Sequence, residues 1–377
     1  MALILLRYGE LALKGANRTY FLRRLRRNLR ACLRANGLEG EVFAEGQRLY
    51  VRTRDTQAAL EPLARVFGLV SLSPVSEILR GADPAAEIDA LVSECVRQAR
   101  EAGVRPGISF RVRSRRADKS FPLISPEIDR LAGEAIVREL DGDVDLSDRA
   151  DVTIGVEVRQ ERIMVYGQVI PAPGGLPLGV EGRAVALISG GIDSPVAAWL
   201  MMRRGCAIIP LHFSSNEAET QKALDNIEVL RRYSYGWDLR PVVLSHRETV
   251  APTLQRLADL GYERWSCIFC KRALVAKACE LAAELGAHAV IMGDNLGQVA
   301  SQTLANLEVI SYGMPKPILR PLLGYDKQEI IERARRIGTF DISTRMEHVC
   351  PFLPHHPITR GTVEQLLTIL KQLGSSA

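Results

Sequence analysis

Residues 184–205 read AVALISGGIDSPVAAWLMMRRG, and this stretch decides the fold. AVALIS is a short apolar run of strand character, and PVAAWLMMRRG reads as a helix closed by Gly205. Between them lies a glycine turn, Ser189-Gly190-Gly191-Ile192-Asp193-Ser194. Glycine has no Cβ, so the backbone there can approach an anion closely. A helix N-terminus offers unbonded N–H groups and the positive end of a dipole. Ser189 and Ser194 add hydroxyl donors. Such a turn, at the carboxyl end of a parallel strand, is where open α/β sheets take their ligands. The lysine of a GK[ST] phosphate loop is missing, so the loop is of another type.

Downstream, CAIIPLHF (206–213), LRPVVLS (239–245) and HAVIMG (288–293) read as strands, with helices over 217–233 and around 271–286. The alternation predicts a parallel sheet covered on both faces, an α/β doubly wound domain. Upstream the texture changes. Residues 2–7 and 48–53 read as strands around a helix whose Leu22, Leu25, Leu29 and Leu33 recur at helical spacing. Helices over 86–102 and 125–140, a strand at 107–113 and a hairpin of 151–158 with 162–168 follow. The expected organisation is two small α+β domains, 1–75 and 76–170, then a linker over 171–183 and the α/β domain over 184–377. The linker, PAPGGLPLGVEGR, has no periodicity.

A length of 377 residues suits two or three domains, and 47% apolar with 25% charged residues suits a soluble globular chain. No apolar run reaches the roughly 18 residues of a membrane span, and the apolar start before Arg7 is too short for a signal-peptide core. A cytoplasmic protein with no membrane partner is expected. The cysteines number seven, an odd count in a long chain, which argues against a disulfide framework and for metal, cluster or catalytic thiols.

The net charge of +5 is unevenly spread. Seven arginines and no acid lie between Arg18 and Arg34, with Arg23, Arg24 and Arg27 among those away from the leucines. Arg111, Arg113, Arg115, Arg116 and Lys119 form a second run. Faces of this kind suit a polyanion, although a basic helix face is often only a solvated surface.

Trp265–Arg272 reads WSCIFCKR. Its CxxC puts Cys267 and Cys270 on one side of a turn ahead of a helix. The helix N-terminus, Lys271 and Arg272 are expected to lower their thiolate pKa. Such pairs ligate zinc or iron–sulfur clusters, or form a redox disulfide. No second CxxC exists to close a four-cysteine zinc site. A third cysteine, Cys350, lies in the polar segment MEHVCPFLPHHPITR. Three thiolates can hold three irons of a [4Fe–4S] cluster and leave the fourth open for sulfide. The rival is a persulfide on Cys350 resolved by Cys267 or Cys270. Cys32, Cys95, Cys206 and Cys279 sit in apolar periodic segments and are expected in the core. His355 and His356 are expected to be structural or surface groups.

The loop resembles the PP-loop, SGGxDS, of the ATP pyrophosphatase superfamily. RYGELALKGANRTYF (7–21), SFRVRSRRADKSFPLISPE (109–127), GDNLGQVASQTLANL (293–307) and RPLLGYDKQEII (320–331) are similar, in order, to segments of the tRNA 4-thiouridine synthetases. That resemblance spans nearly the whole chain. It implies a ferredoxin-like domain, a THUMP RNA-binding domain and a PP-loop domain. It also implies ATP and Mg²⁺, used to adenylate O4 of a tRNA uridine, at position 8, before sulfur replaces the oxygen. Ser189, Gly190, Gly191, Asp193 and Ser194 would hold pyrophosphate. Gly293, Asp294, Gln298 and Gln302 would line the pocket opposite. Lys327 is a weaker candidate phosphate ligand, and Cys350 matches the reactive-cysteine region. Many bacterial members carry a further rhodanese domain, whereas this chain ends shortly after Cys350. The form expected is therefore the one linked to an iron–sulfur cluster, with sulfide or a cysteine desulfurase as sulfur donor, no thiamine role, and a homodimeric assembly. Alternatives are thiolation at another tRNA position, an amidotransferase-type synthetase adenylating a small carbonyl, and an RNA-binding module with a vestigial nucleotide site.

Overall fold

Leu3, Ile4, Leu5 and Leu6 are successive residues, and all are buried. A strand buried on both faces must be central in its sheet. That strand is β1 (Ala2–Tyr8), flanked antiparallel by β3 and β4. The structure, a computed structural model, describes residues 2–46, 48–81, 83–345 and 354–374. The chain divides into two units, Met1–Gly174 and Gly175–Ala377.

The first unit begins β1, α1 (Arg18–Ala35), β2 (Gly40–Glu45), β3 (Arg48–Thr53), α2 (Thr56–Leu63) and β4 (Leu69–Leu79). Then come α3 (Pro84–Glu101), β5 (Ser109–Arg116), α4 (Ser125–Leu140), β6 (Asp143–Val144), β7 (Val152–Val158), β8 (Arg162–Tyr166) and β9 (Ile170–Pro171). One sheet runs through both halves in the order β2-β3-β1-β4-β8-β7-β5-β6, with β9 also on β4. β4 is the hinge of this order. Its residues up to Val75 pair with β1, and those from Ser76 pair with β8. The boundary expected at residue 75 lies inside this continuous strand, β4.

Helix α1 buries Phe21, Leu25, Leu29, Cys32 and Leu33. Leu22, read as part of the apolar stripe, is only half-buried, and Phe21 takes its place. Cys95 on α3 packs in the other half with Phe110, Ile128, Ile136 and Ile154.

The second unit contains β10 (Arg183–Leu187), α5 (Asp193–Arg203), β11 (Ala207–Ser214), α6 (Glu217–Arg231), β12 (Val242–Ser245), α7 (His246–Asp259) and α8 (Ser266–Glu284). It continues with β13 (Ala289–Ile291), α9 (Leu304–Ser311), β14 (Ile318–Leu319), α10 (Lys327–Ile337), α11 (Phe340–Ser343) and α12 (Val363–Gln372). The sheet order is β12-β11-β10-β13-β14, and every pairing is parallel. Helices α5, α6, α10 and α11 pack together, and α7, α8, α9 and α12 form a second group. This is the doubly wound α/β arrangement. Strand order reverses beside β10, so the loop after β10 opens at the position where such sheets bind ligands. Among the described residues no helix is long and apolar enough to cross a membrane.

Candidate active site

The turn from β10 to α5 is held by its own serines. Ser194 Oγ accepts from the Ser189 N–H at 2.8 Å and lies 3.0 Å from Ser189 Oγ. Ser189 Oγ accepts from the Gly191 N–H at 3.3 Å. From outside, Ser343 on α11 donates to the Gly191 carbonyl at 3.3 Å, and Asn226 on α6 donates to Ser343 at 3.1 Å. His212, at the end of β11, donates from Nδ1 to the Ile188 carbonyl at 2.8 Å. Burial lowers the pKa of His212, which keeps the ring neutral in this role.

Two glycines are required by close approach. A Cβ on Gly293, just after β13, would sit 2.7 Å from the Ser194 backbone N and Cα. A Cβ on Gly190 would meet Glu219 Oε2 at 2.5 Å and the Lys222 side chain at 3.0 Å. Gly190 thus faces α6. Ser189, Gly191, Asp193 and Ser194 line a cleft of about 350 Å³ whose opposite wall includes Gly293, Asp294 and Gln302. Gln298 is exposed and reaches the loop from outside, donating to Asp193 Oδ2 at 3.1 Å. Lys327, the first residue of α10, donates to Asp193 Oδ1 at 2.6 Å.

Asp294 is the most deeply buried acid of the cleft, at 2% exposure. Lys271 Nζ lies 2.6 Å from Oδ1 and Arg320 Nε lies 2.9 Å from Oδ2. Burial alone would raise this carboxyl, but the charges and hydrogen bonds of Lys271 and Arg320 outweigh it and hold the group below its ordinary range. The pairing of Lys271 with Asp294, and the parts played by Arg320, His212 and Ser343, were not legible, because their partners lie more than twenty residues away and only the fold brings them together.

The cysteine turn differs from its sequence reading in two ways. Helix α8 starts at Ser266, so Cys267 and Cys270 lie inside its first turns and not ahead of a helix. The two cations are also engaged elsewhere. Lys271 holds Asp294, and Arg272 donates to the carbonyls of Val309 at 2.5 Å and Tyr312 at 2.9 Å, capping the end of α9. Both thiols are half-buried, and Cys270 Sγ lies 3.4 Å from His246 Nε2 at the start of α7. Burial lowers the pKa of His246. Cys350, the expected third ligand, lies outside the described residues. Among the described residues no group of three His, Cys, Asp or Glu side chains could hold a metal. Cys32, Cys95, Cys206 and Cys279 are buried. His355 and His356 are exposed.

The basic runs in the first unit also differ from one another. On α1, Arg23 and Arg27 are exposed and Arg24 is half-buried. On β5, Arg111 pairs with Asp148 at 2.6 Å and with Thr153 Oγ1 at 2.9 Å, and Arg113 reaches the same Asp148 at 3.2 Å. Arg116 donates to the carbonyls of Phe121 at 3.0 Å and Leu123 at 3.2 Å. Arg115 and Lys119 are exposed.

A parallel sheet that opens through a serine-locked SGGIDS turn onto a cleft walled by a doubly paired aspartate defines a PP-loop domain of the ATP pyrophosphatase type. Residues 179–373 match the family model described as thiamine biosynthesis protein (ThiI). Residues 3–73 match the ThiI ferredoxin-like domain and residues 85–167 the THUMP domain. A "Probable tRNA sulfurtransferase" of Thermococcus kodakarensis is 40% identical over 97% of this chain and 95% of its own. One from Methanocaldococcus jannaschii is 38% identical over 98% and 97%. Among solved structures, a 4-thiouridine synthetase–RNA complex with bound ATP superposes with a TM-score of 0.85 at 32% identity, covering 99% of this chain and 95% of that one. PH1313 from Pyrococcus horikoshii gives a TM-score of 0.69 at 29% identity, over 90% and 100%. The chain belongs to the ThiI family of tRNA sulfurtransferases and is an enzyme of that class.

Proposed function

We propose that this enzyme uses ATP and Mg²⁺ to convert a tRNA uridine, at position 8, to 4-thiouridine. The observation that carries the reading is the serine-locked loop facing Asp294 and Lys271, in a cleft also lined by His246, whose Nε2 lies 3.4 Å from Cys270 Sγ. The relative of known structure that binds RNA and ATP supports both ligands.

The loop N–H groups and the start of α5 would hold pyrophosphate oxygens. Gly191, which lines the cleft, allows the close approach, while Gly190 and Gly293 let the loop pack against α6 and the turn after β13. Asp193, held by Lys327 and Gln298, faces the position of Mg²⁺ or the pyrophosphate. Uridine O4 attacks the α-phosphorus, the bond to pyrophosphate breaks, and the N3 proton leaves. Sulfur then attacks C4, and AMP departs carrying O4. Cys267 and Cys270, half-buried one turn apart on α8, fit two positions of a [4Fe–4S] cluster, with Cys350 as third ligand. Such a cluster, when bound, supplies an open iron for sulfide. The Cys270–His246 contact favours a second reading, a Cys350 persulfide resolved by Cys270, because an imidazole beside a thiol can carry its proton.

For the rest of the chain we propose a ferredoxin-like domain over 1–75, a THUMP domain over 76–170, a linker over 171–183 and the PP-loop domain over 184–377. Arg23, Arg24, Arg27, Arg115 and Lys119 would contact tRNA phosphates, which position RNA without reading sequence. We place the enzyme in the cytoplasm as a homodimer, with sulfide or a cysteine desulfurase supplying sulfur.

The test is thiouridine formation in unmodified tRNA, with anaerobically reconstituted protein, ATP, Mg²⁺ and sulfide, beside Cys267→Ala. Loss of both iron absorbance and product in the variant supports the cluster route. Equal product from cluster-free protein with a persulfide donor rejects it in favour of the Cys350 persulfide. Product in neither arm rejects the sulfurtransferase reading.

A further inference from the structure

The cleft contains one polar atom whose partner the fold does not supply. Gln302 is 8% exposed and lines the cleft, and its Oε1 is buried without a hydrogen-bond partner among the described residues. A buried acceptor left unpaired is costly, so it calls for a donor from a ligand. The orientation of the amide is set by Asp294, whose Oδ1 accepts from Gln302 Nε2 at 3.4 Å. Turning the amide over would face Oε1 onto that carboxylate. The same Oδ1 accepts from Lys271 Nζ at 2.6 Å, which leaves further ammonium donors on a side chain that also lines the cleft. Asp294 thus sets a donor, Lys271, beside an acceptor, Gln302.

We propose that this pair reads the target base: Lys271 donates to uridine O4 while Gln302 Oε1 accepts the uridine N3–H. The inference rests on the sulfurtransferase reading above and names the residues that select its substrate. Uracil presents an acceptor next to a donor along this edge, matching the order that Asp294 imposes. Cytosine presents the reverse, an amino donor against the ammonium and a bare N3 against the amide oxygen, and both contacts fail. Sites built to hydrogen-bond a group reject analogues lacking it strongly, because their own polar atoms are then stranded. The edge of adenine could also satisfy the pair. Uridine is favoured because His246 lines the same cleft as Lys271 and its Nε2 lies 3.4 Å from Cys270 Sγ, so the thiol borders the space in which the base is held.

The experiment uses the full chain, unmodified tRNA, and the same tRNA carrying 3-methyluridine at the target, which has no N3–H. ATP affinity is measured in parallel by equilibrium binding. Gln302→Leu, and Gln302→Met as a length-conserving second variant, are expected to lower kcat/KM for tRNA by about tenfold to a hundredfold. Their ATP affinity should stay within about twofold of wild type, which also reports an intact fold, and the difference in equilibrium affinity between the uridine and 3-methyluridine tRNAs should collapse. If ATP affinity falls by the same factor as thiolation, the amide faces adenine and the proposal is wrong. If both variants thiolate like wild type, it is equally wrong. Absence of thiouridine from wild type would instead overturn the sulfurtransferase reading, and this inference with it.

Discussion

The two units use positive charge in opposite ways. In the second unit each cation of the cleft holds a named anion: Lys271 and Arg320 hold Asp294, and Lys327 holds Asp193. In the first unit several cations on or beside the strands are paired in the same way, with Glu157 between Arg48 and Arg159 and with Arg111 tied to Asp148. Helix α1 does not, since Arg23 and Arg27 stand exposed on a helix face without an acid. Fixed pairs shape a site before any ligand arrives, whereas exposed guanidinium groups remain available for phosphates. A basic stretch of sequence can therefore be scaffold or interface, and burial decides which.

Five variants test that contrast, beginning with the largest effect. Gly293→Ala drives a Cβ into the Ser194 backbone, so ATP binding should fall by more than about a hundredfold, since a shift near 1 Å in a site already costs that much. Gly190→Ala meets the flexible ends of Glu219 and Lys222 and should cost less. Equal losses in a binding titration would show that the loop is not wedged against Gly293.

Asp294→Asn leaves two partly buried cations facing a neutral amide and should destabilise the fold by about 3 kcal/mol in denaturant unfolding. The carboxyl is held below its ordinary range in the folded protein. It therefore contributes stability above the unfolded pKa, about 3.9, and loses it as pH falls through the lower folded value. The variant should be less stable at neutral pH and lose less than wild type as pH falls below the unfolded pKa of about 3.9. An acid profile parallel to wild type would mean that the pairing contributes nothing to folding.

Removing Arg23 and Arg27 together should weaken tRNA binding several-fold and reduce the salt slope of log K by about 2. Arg111→Ala should leave that slope unchanged and lower stability only slightly, because its partner Asp148 is exposed. If Arg111 moves the slope more than the helix pair does, the division into scaffold and interface fails.

The phosphate loop was legible because its signal is local: strand, glycines, serines and helix lie within about twenty consecutive residues, the scale on which such motifs are written. The partners of Asp294 were not legible, because Lys271 and Arg320 approach it from opposite sides in sequence. Reading Lys271 and Arg272 as neighbours of the thiols treated adjacency in the chain as adjacency in space. On a helix, consecutive side chains diverge, and one reached Asp294 while the other reached α9. β4 escaped notice because Pro74 and three serines break its apolar pattern. Pro74 is tolerated because it lies between the stretch that pairs with β9 and the stretch that pairs with β8. The cysteine ligand set stayed open because Cys350 lies outside the described residues.

β4 also acts as a splint. The two halves of the first unit share one uninterrupted pleat, so their mutual rotation is set by strand register and not by a pliable joint. One residue inserted between Val75 and Ser76 would turn every later side chain of β4 to the opposite face. Ile78, which packs with the core of the second half, would then point the other way. Severing the strand at that point would leave each fragment with a raw hydrogen-bonding edge, so neither half should behave well alone.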